Sequence, residues 1–134
     1  MKPLFARLHT VMAWLIFLGC GLLFYLIALA YFGGGEVSTH GAVGRILFVL
    51  SILLAIAALV CRSSRLNIAL SLQIPVMLFT QGMFIYLPSL PPAGRALHAL
   101  NGLTIMAFCY LLANGRAKAT VESNQPSAVN LAGD

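Results

Sequence analysis

Four nearly unbroken apolar stretches divide the chain, at about Val11 to Phe32, Ala42 to Cys61, Leu66 to Leu87 and Ala96 to Ala113. Each is close to the roughly 20 residues, at 1.5 Å rise each, that a membrane-crossing helix needs. The segments between them are short and rich in turn residues: Gly33-Gly34-Gly35-Glu36-Val37-Ser38-Thr39, then Arg62-Ser63-Ser64-Arg65, then Pro88-Ser89-Leu90-Pro91-Pro92-Ala93-Gly94-Arg95. Such brief connections force each helix to run antiparallel beside its predecessor. The pattern predicts an all-α fold, an integral membrane up-down-up-down four-helix bundle that ends near residue 119. Thr120 to Asp134 is polar, lacks aromatics and shows no helical period, as expected of a loosely ordered tail with no second domain.

Composition supports the pattern. The chain is 60% hydrophobic and 8% charged, against roughly 25% charged residues in a soluble domain, which excludes a water-soluble globular protein. Eight Lys+Arg against three Asp+Glu give +5, yet so apolar a chain has no solvated basic face to spare, so no nucleic-acid partner is expected. The cations orient the bundle instead. Lys2, Arg7, Arg62, Arg65, Arg116 and Lys118 fall on one side and only Arg45 and Arg95 on the other, which predicts both termini in the cytoplasm. Lys2 and Arg7 before an apolar run also fit a signal peptide, but that run is about twice the length of a signal core. A retained first helix is the expectation.

No Asp or Glu lies in any of the four stretches. Proton pumping, carboxylate catalysis and cation conduction each need a titratable or ligating carboxylate at depth. Within these stretches no Ser or Cys has a histidine near it in sequence with a third orienting acid, and no nucleophile-elbow turn occurs. The chain is not expected to be an enzyme. Cys20, Cys61 and Cys109 form neither a closed disulfide framework nor a metal-finger spacing.

The informative residues are the polar ones near the span ends. His40 opens the second helix and His98 the fourth, so the topology sets both at the outer end of the bundle, at similar depth and able to face each other. Each is followed four residues later by a glycine, Gly44 and Gly102, on the same helix face one turn deeper. A flat macrocycle fits against such a patch. Arg45 and Arg95 lie on the same side, where two cations suit two carboxylates. This is the constellation a b-type haem uses: two neutral imidazoles from opposite helices as axial ligands, small residues under the ring and arginines for the propionates. The repeated His-x-x-x-Gly also makes helices one and two a loose copy of helices three and four.

With these residues in view, the chain resembles four-helix b-type cytochrome modules, in particular the half-domain of haem A synthase. There the second and fourth helices of an antiparallel bundle each offer one outer-side histidine to a haem. It is also similar to a group of small bacterial four-span membrane proteins, which share His40 with Gly44, Gln81 near the end of helix three, and His98 with Asn101. The resemblance covers about residues 5 to 115. It implies haem b held by His40 and His98, with electron transfer as the role, in the bacterial inner membrane.

Other readings stand beside it. Both histidines can serve as helix caps or interfacial hydrogen-bonding groups, and glycines four apart are routine contacts between membrane helices. Gln73 and Gln81 read as one face of helix three, supplying interhelical hydrogen bonds; Gln81 also lies at the depth of the histidines, within reach of a propionate, a ligand imidazole or a quinone carbonyl. Pro75 predicts a kink. His9, beside Arg7 and without a partner histidine, reads as an interfacial residue, and Gly19-Cys20-Gly21 and Cys109 as small residues at helix contacts. Trp14, Tyr25, Tyr31, Tyr86 and Tyr110 fit belt or packing positions. The expected partners are the lipid bilayer and other membrane subunits of a redox complex. The alternatives are a cofactor-free accessory subunit of a respiratory or photosynthetic complex, and a quinone site built from His40, Gln81 and His98.

Overall fold

A computed structural model describes residues 2–87, 89 and 91–115. The tail from Thr120, together with Arg116 and Lys118, lies outside the described residues. Four helices follow one another: α1 (Lys2–Tyr31), α2 (Val37–Val60), α3 (Arg65–Tyr86) and α4 (Pro92–Ala113). Each is long and apolar enough to cross a membrane. The chain is built as a multi-pass membrane protein, and the all-α four-helix architecture expected from the sequence is the one observed. In every helix the outward face is largely apolar: Leu18, Ile46, Phe79 and Leu100 are all exposed. Such a surface is stable only against lipid or other apolar helices.

The helix boundaries differ from the apolar stretches in a consistent way. α1 starts nine residues before Val11, because Lys2 to Thr10 contains no helix breaker beyond Pro3, which the first turn tolerates. α2 and α4 likewise begin at Val37 and Pro92, so His40 sits in the first turn of α2 and His98 in the second turn of α4. The ends have local causes. α1 closes with Gly34 N–H on the Leu29 carbonyl and Gly33 N–H on the Ala30 carbonyl, a Schellman cap in which Gly33 adopts φ +79. α2 closes the same way through Ser63 and Ala58, with Arg62 at φ 51 where glycine is usual. Ser64 caps α3, its Oγ accepting from the Asn67 N–H at 3.3 Å, and Pro92 takes the first position of α4, where its missing N–H costs nothing.

The helices form a square in which each packs on two neighbours: α1 on α2 and α4, and α3 on α2 and α4. α1 and α3 therefore face each other across one diagonal, α2 and α4 across the other. The upper end carries the C-termini of α1 and α3 and the N-termini of α2 and α4; the lower end carries the rest. Along the axis the core is narrow and built from medium and small side chains, among them Ala13, Ile16, Leu54, Ile74 and Ile105. Gly19 lets α1 approach α2, since a Cβ there would stand 2.5 Å from Leu47 Cδ2. On the outside of the α1–α4 seam, Trp14, Phe17 and Tyr110 pack ring against ring, with Trp14 edge-on to both partners.

The two halves of the bundle repeat with an offset of 58 residues. His40 matches His98 and Gly44 matches Gly102. The core repeats in the same register: Ile16 with Ile74, Cys20 with Leu78, Leu47 with Ile105, Ser51 with Cys109 and Leu54 with Leu112 are buried on both sides of the relation. The α1–α2 and α3–α4 hairpins are thus two copies of one packing unit around an axis parallel to the helices.

Candidate functional site

The upper end gathers most of the residues singled out by the sequence. His40 and His98 face each other across the α2–α4 diagonal with ring centroids 6.1 Å apart and planes inclined by 45°. Each ring is held from behind. His40 Nδ1 donates to the Leu23 carbonyl of α1 at 2.9 Å, and His98 Nδ1 donates to the Gln81 carbonyl of α3 at 3.1 Å. The two acceptors, each 17 residues before its histidine, are themselves related by the 58-residue repeat. A carbonyl oxygen only accepts, so both Nδ1 atoms carry a proton, and in the neutral form of each ring Nε2 keeps a lone pair. Histidines that bind metals through Nε2 are held in this way.

The shell differs between the two halves. Asn101 Nδ2 donates to the Met77 carbonyl at 2.9 Å and to Gln81 Oε1 at 2.6 Å, tying α4 to α3 beside His98. The matching positions in the other half are Val43 and Leu23, so His40 has no such polar support. The glycines differ too. A Cβ on Gly102 would lie 3.2 Å from both Gln81 Nε2 and Phe24 Cζ, whereas Gly44 has nothing within 4 Å. The bare patch expected at both glycines is open at Gly44; at Gly102 it is covered, because the phenyl ring of Phe24 and the amide of Gln81 lie over it. Phe24 has no counterpart in the second half, where the matching residue is Gly82, itself with nothing within 4 Å.

Arg45 and Arg95 both lie at the upper end and are exposed, and Arg45 reaches back along α2, its Nη1 3.7 Å from a Cβ position on Gly41. Gln81 does make an interhelical hydrogen bond. Gln73 does not share its face: it is exposed on the outside of the bundle, since eight residues turn a helix well past two full turns.

Asn101 entered the sequence reading only through the resemblance to small four-span proteins, with no role assigned, and the two carbonyls did not enter it. Asn101 was visible as an amide inside an apolar span, a residue type that needs a partner there. The carbonyls left no signal, because any residue supplies one.

At the lower end the reading of His9 as interfacial is overturned. His9 is only 5% exposed and its Nε2 lies 2.9 Å from Oγ of Ser71, which is fully buried on α3. The helix extension before Val11 carries His9 inward across the α1–α3 diagonal. No acid completes a triad there among the described residues. The described residues also contain no cluster of three or more His, Cys, Asp or Glu side chains able to hold a metal ion.

Residues 24–88 match the model of a family of unknown function, DUF6220. No curated protein and no solved structure matches the chain. The matched stretch is just under half of the chain. It runs from Phe24 through α2 and α3 and includes His40, Gly44 and Gln81, ending before His98.

Proposed function

We propose that the protein holds one b-type haem between His40 and His98 near the outer face of the bacterial inner membrane and serves electron transfer. The observation that carries this reading is the 6.1 Å separation of two imidazoles whose Nδ1 atoms are both engaged. Two imidazoles ligating one metal from opposite sides hold their ring centroids roughly 6 Å apart, since a metal–nitrogen distance of ~2.0–2.1 Å and a ring radius of ~1.1 Å each count twice. Two neutral nitrogens alone make an incomplete site for zinc or calcium. A tetrapyrrole would bring the further nitrogen donors that such a site needs.

The residues present fit that group. Gly44 leaves room beside His40, and the Gln81 carbonyl of α3 holds His98 while the Gln81 side chain is tied to Asn101 of α4. Arg45 and Arg95 bring two cations to the end where carboxylates would lie, and the Gln81 amide adds a neutral donor over Gly102. Haem, when bound, supplies a one-electron couple. His40 and His98 would hold the group through their Nε2 atoms, with each ring fixed at Nδ1 by a backbone carbonyl in a low-dielectric setting. Outward faces are largely apolar in all four helices, so the contacts open to a partner within the bilayer are helix against helix. This favours a subunit of a larger membrane redox complex. The bias of the cations supports cytoplasmic termini.

Purified protein is expected to show a reduced-minus-oxidised spectrum with a b-type alpha band, lost in His40→Ala and in His98→Ala. One observation favours a second reading, a cofactor-free accessory subunit. Phe24 and Gln81 already fill the space over Gly102, and each Nδ1 bond joins a histidine's helix to the helix before it with no ligand needed. On that reading the protein is colourless, co-purifies in fixed stoichiometry with a complex, and loses only stability when the histidines are replaced.

A further inference from the structure

The lower end contains a polar layer that the proposed haem site does not use. On the α1–α3 diagonal, His9 reaches Ser71. Under the 58-residue relation this pair corresponds to Asn67 of α3 and Ala13 of α1, both buried. The second pairing is shorter on both sides: Asn67 has fewer side-chain atoms than an imidazole, and Ala13 has a methyl group where the first pairing has a hydroxymethyl. The consequence is visible in the hydrogen bonding. Asn67 is 8% exposed, and its Oδ1 is buried with no hydrogen-bond partner, although its backbone N–H is satisfied by Ser64. An orphan acceptor in an apolar bundle loses its hydration without compensation.

We infer that the layer formed by His9, Ser71, Asn67 and Ala13 is a binding site for one internal water, which donates to Asn67 Oδ1. Asn67 and Ser71 are four residues apart on one face of α3, where side chains stand about 5–6 Å apart at Cβ, a span that one water bridges. Ser71 Oγ shares a single proton with His9 Nε2 and keeps a lone pair for the second hydrogen of that water. All four residues are buried and three of them are polar, the setting in which an internal water is retained with two to four partners. Larger donors are excluded by the burial of all four residues. The water links the His9 imidazole to Asn67 and makes the lower end a hydrated polar layer, opposite the paired histidines.

The test uses full-length protein in liposomes, labelled at asparagine with carbon-13 and nitrogen-15, with magnetisation transferred from water in solid-state NMR. Transfer to the Asn67 side-chain carbonyl is expected, with the signal assigned by its disappearance in Asn67→Leu. Ala13→Ser places a hydroxyl where the water stands, so transfer to Asn67 is expected to be lost while the Asn101 signal is unchanged. Absence of transfer to Asn67 in the unmodified protein overturns the proposal without reference to any variant. Transfer that persists undiminished in Ala13→Ser overturns it equally.

Discussion

His40 and His98 face each other across the bundle with ring centroids 6.1 Å apart, and each is fixed by its Nδ1 to a carbonyl 17 residues earlier in the chain. The arrangement is symmetric in the backbone and asymmetric in the side chains around it. Only His98 has an amide pair, Asn101 and Gln81, beside it. The two histidines are therefore expected to respond differently when their surroundings are altered.

Asn101→Leu removes two interhelical hydrogen bonds at once, to Met77 and to Gln81. Interhelical bonds in membranes contribute about 0.6–2 kcal/mol each, so a loss of roughly 1–4 kcal/mol is expected in thermal or denaturant unfolding in detergent. Val43→Ala, at the matching position of the other half, removes no polar contact. Equal losses of haem retention from the two variants would contradict the role given to the amide pair.

The His9–Ser71 contact is expected to be a coupled pair. His9→Phe and Ser71→Ala each leave one polar group without its partner, at a cost of about 1–2 kcal/mol. The double variant is expected to cost less than the two single costs together, a coupling that a double-mutant cycle reads directly. Strict additivity would show that the contact does not form.

Gly19 tests the close approach of α1 and α2. A valine there meets Leu47, and overpacking of this kind costs typically 1–3 kcal/mol. In a Leu47→Ala background the same Gly19→Val change is expected to cost much less. An unchanged cost in that background would place Leu47 elsewhere.

Acidification has a defined sign. A proton and a metal compete for the same Nε2 lone pair, so the proposed ligation by His40 and His98 would be lost as pH falls. An acid titration followed in the Soret region is expected to show loss of the low-spin spectrum on the acid side only. A band that stays unchanged until the protein unfolds would contradict ligation by exchangeable imidazoles.

What the sequence made legible follows from how local each signal is. The four spans are long apolar runs, and their antiparallel order follows from connections too short for anything else. The pairing of His40 with His98 followed from that topology alone, since both stand at corresponding helix starts. The helix before Val11 was obscured because its cations resemble a flanking segment, and with it went the inward placement of His9. Its contact with Ser71 lies 62 residues away and depends on the register between α1 and α3, which hydropathy does not encode. The cover over Gly102 was hidden for a similar reason: Phe24 reaches it from a neighbouring helix. The His-x-x-x-Gly repeat was visible at two places, but its extension through the core needed the burial pattern of Ile16, Ile74, Leu47 and Ile105 to bring it out.

The most direct test of the central claim is a visible absorption spectrum of the detergent-purified protein, oxidised and then reduced, with haem added where none co-purifies. A b-type alpha band on reduction is predicted, absent from His40→Ala and His98→Ala preparations that remain folded. A folded, colourless protein that takes up no added haem would contradict the account.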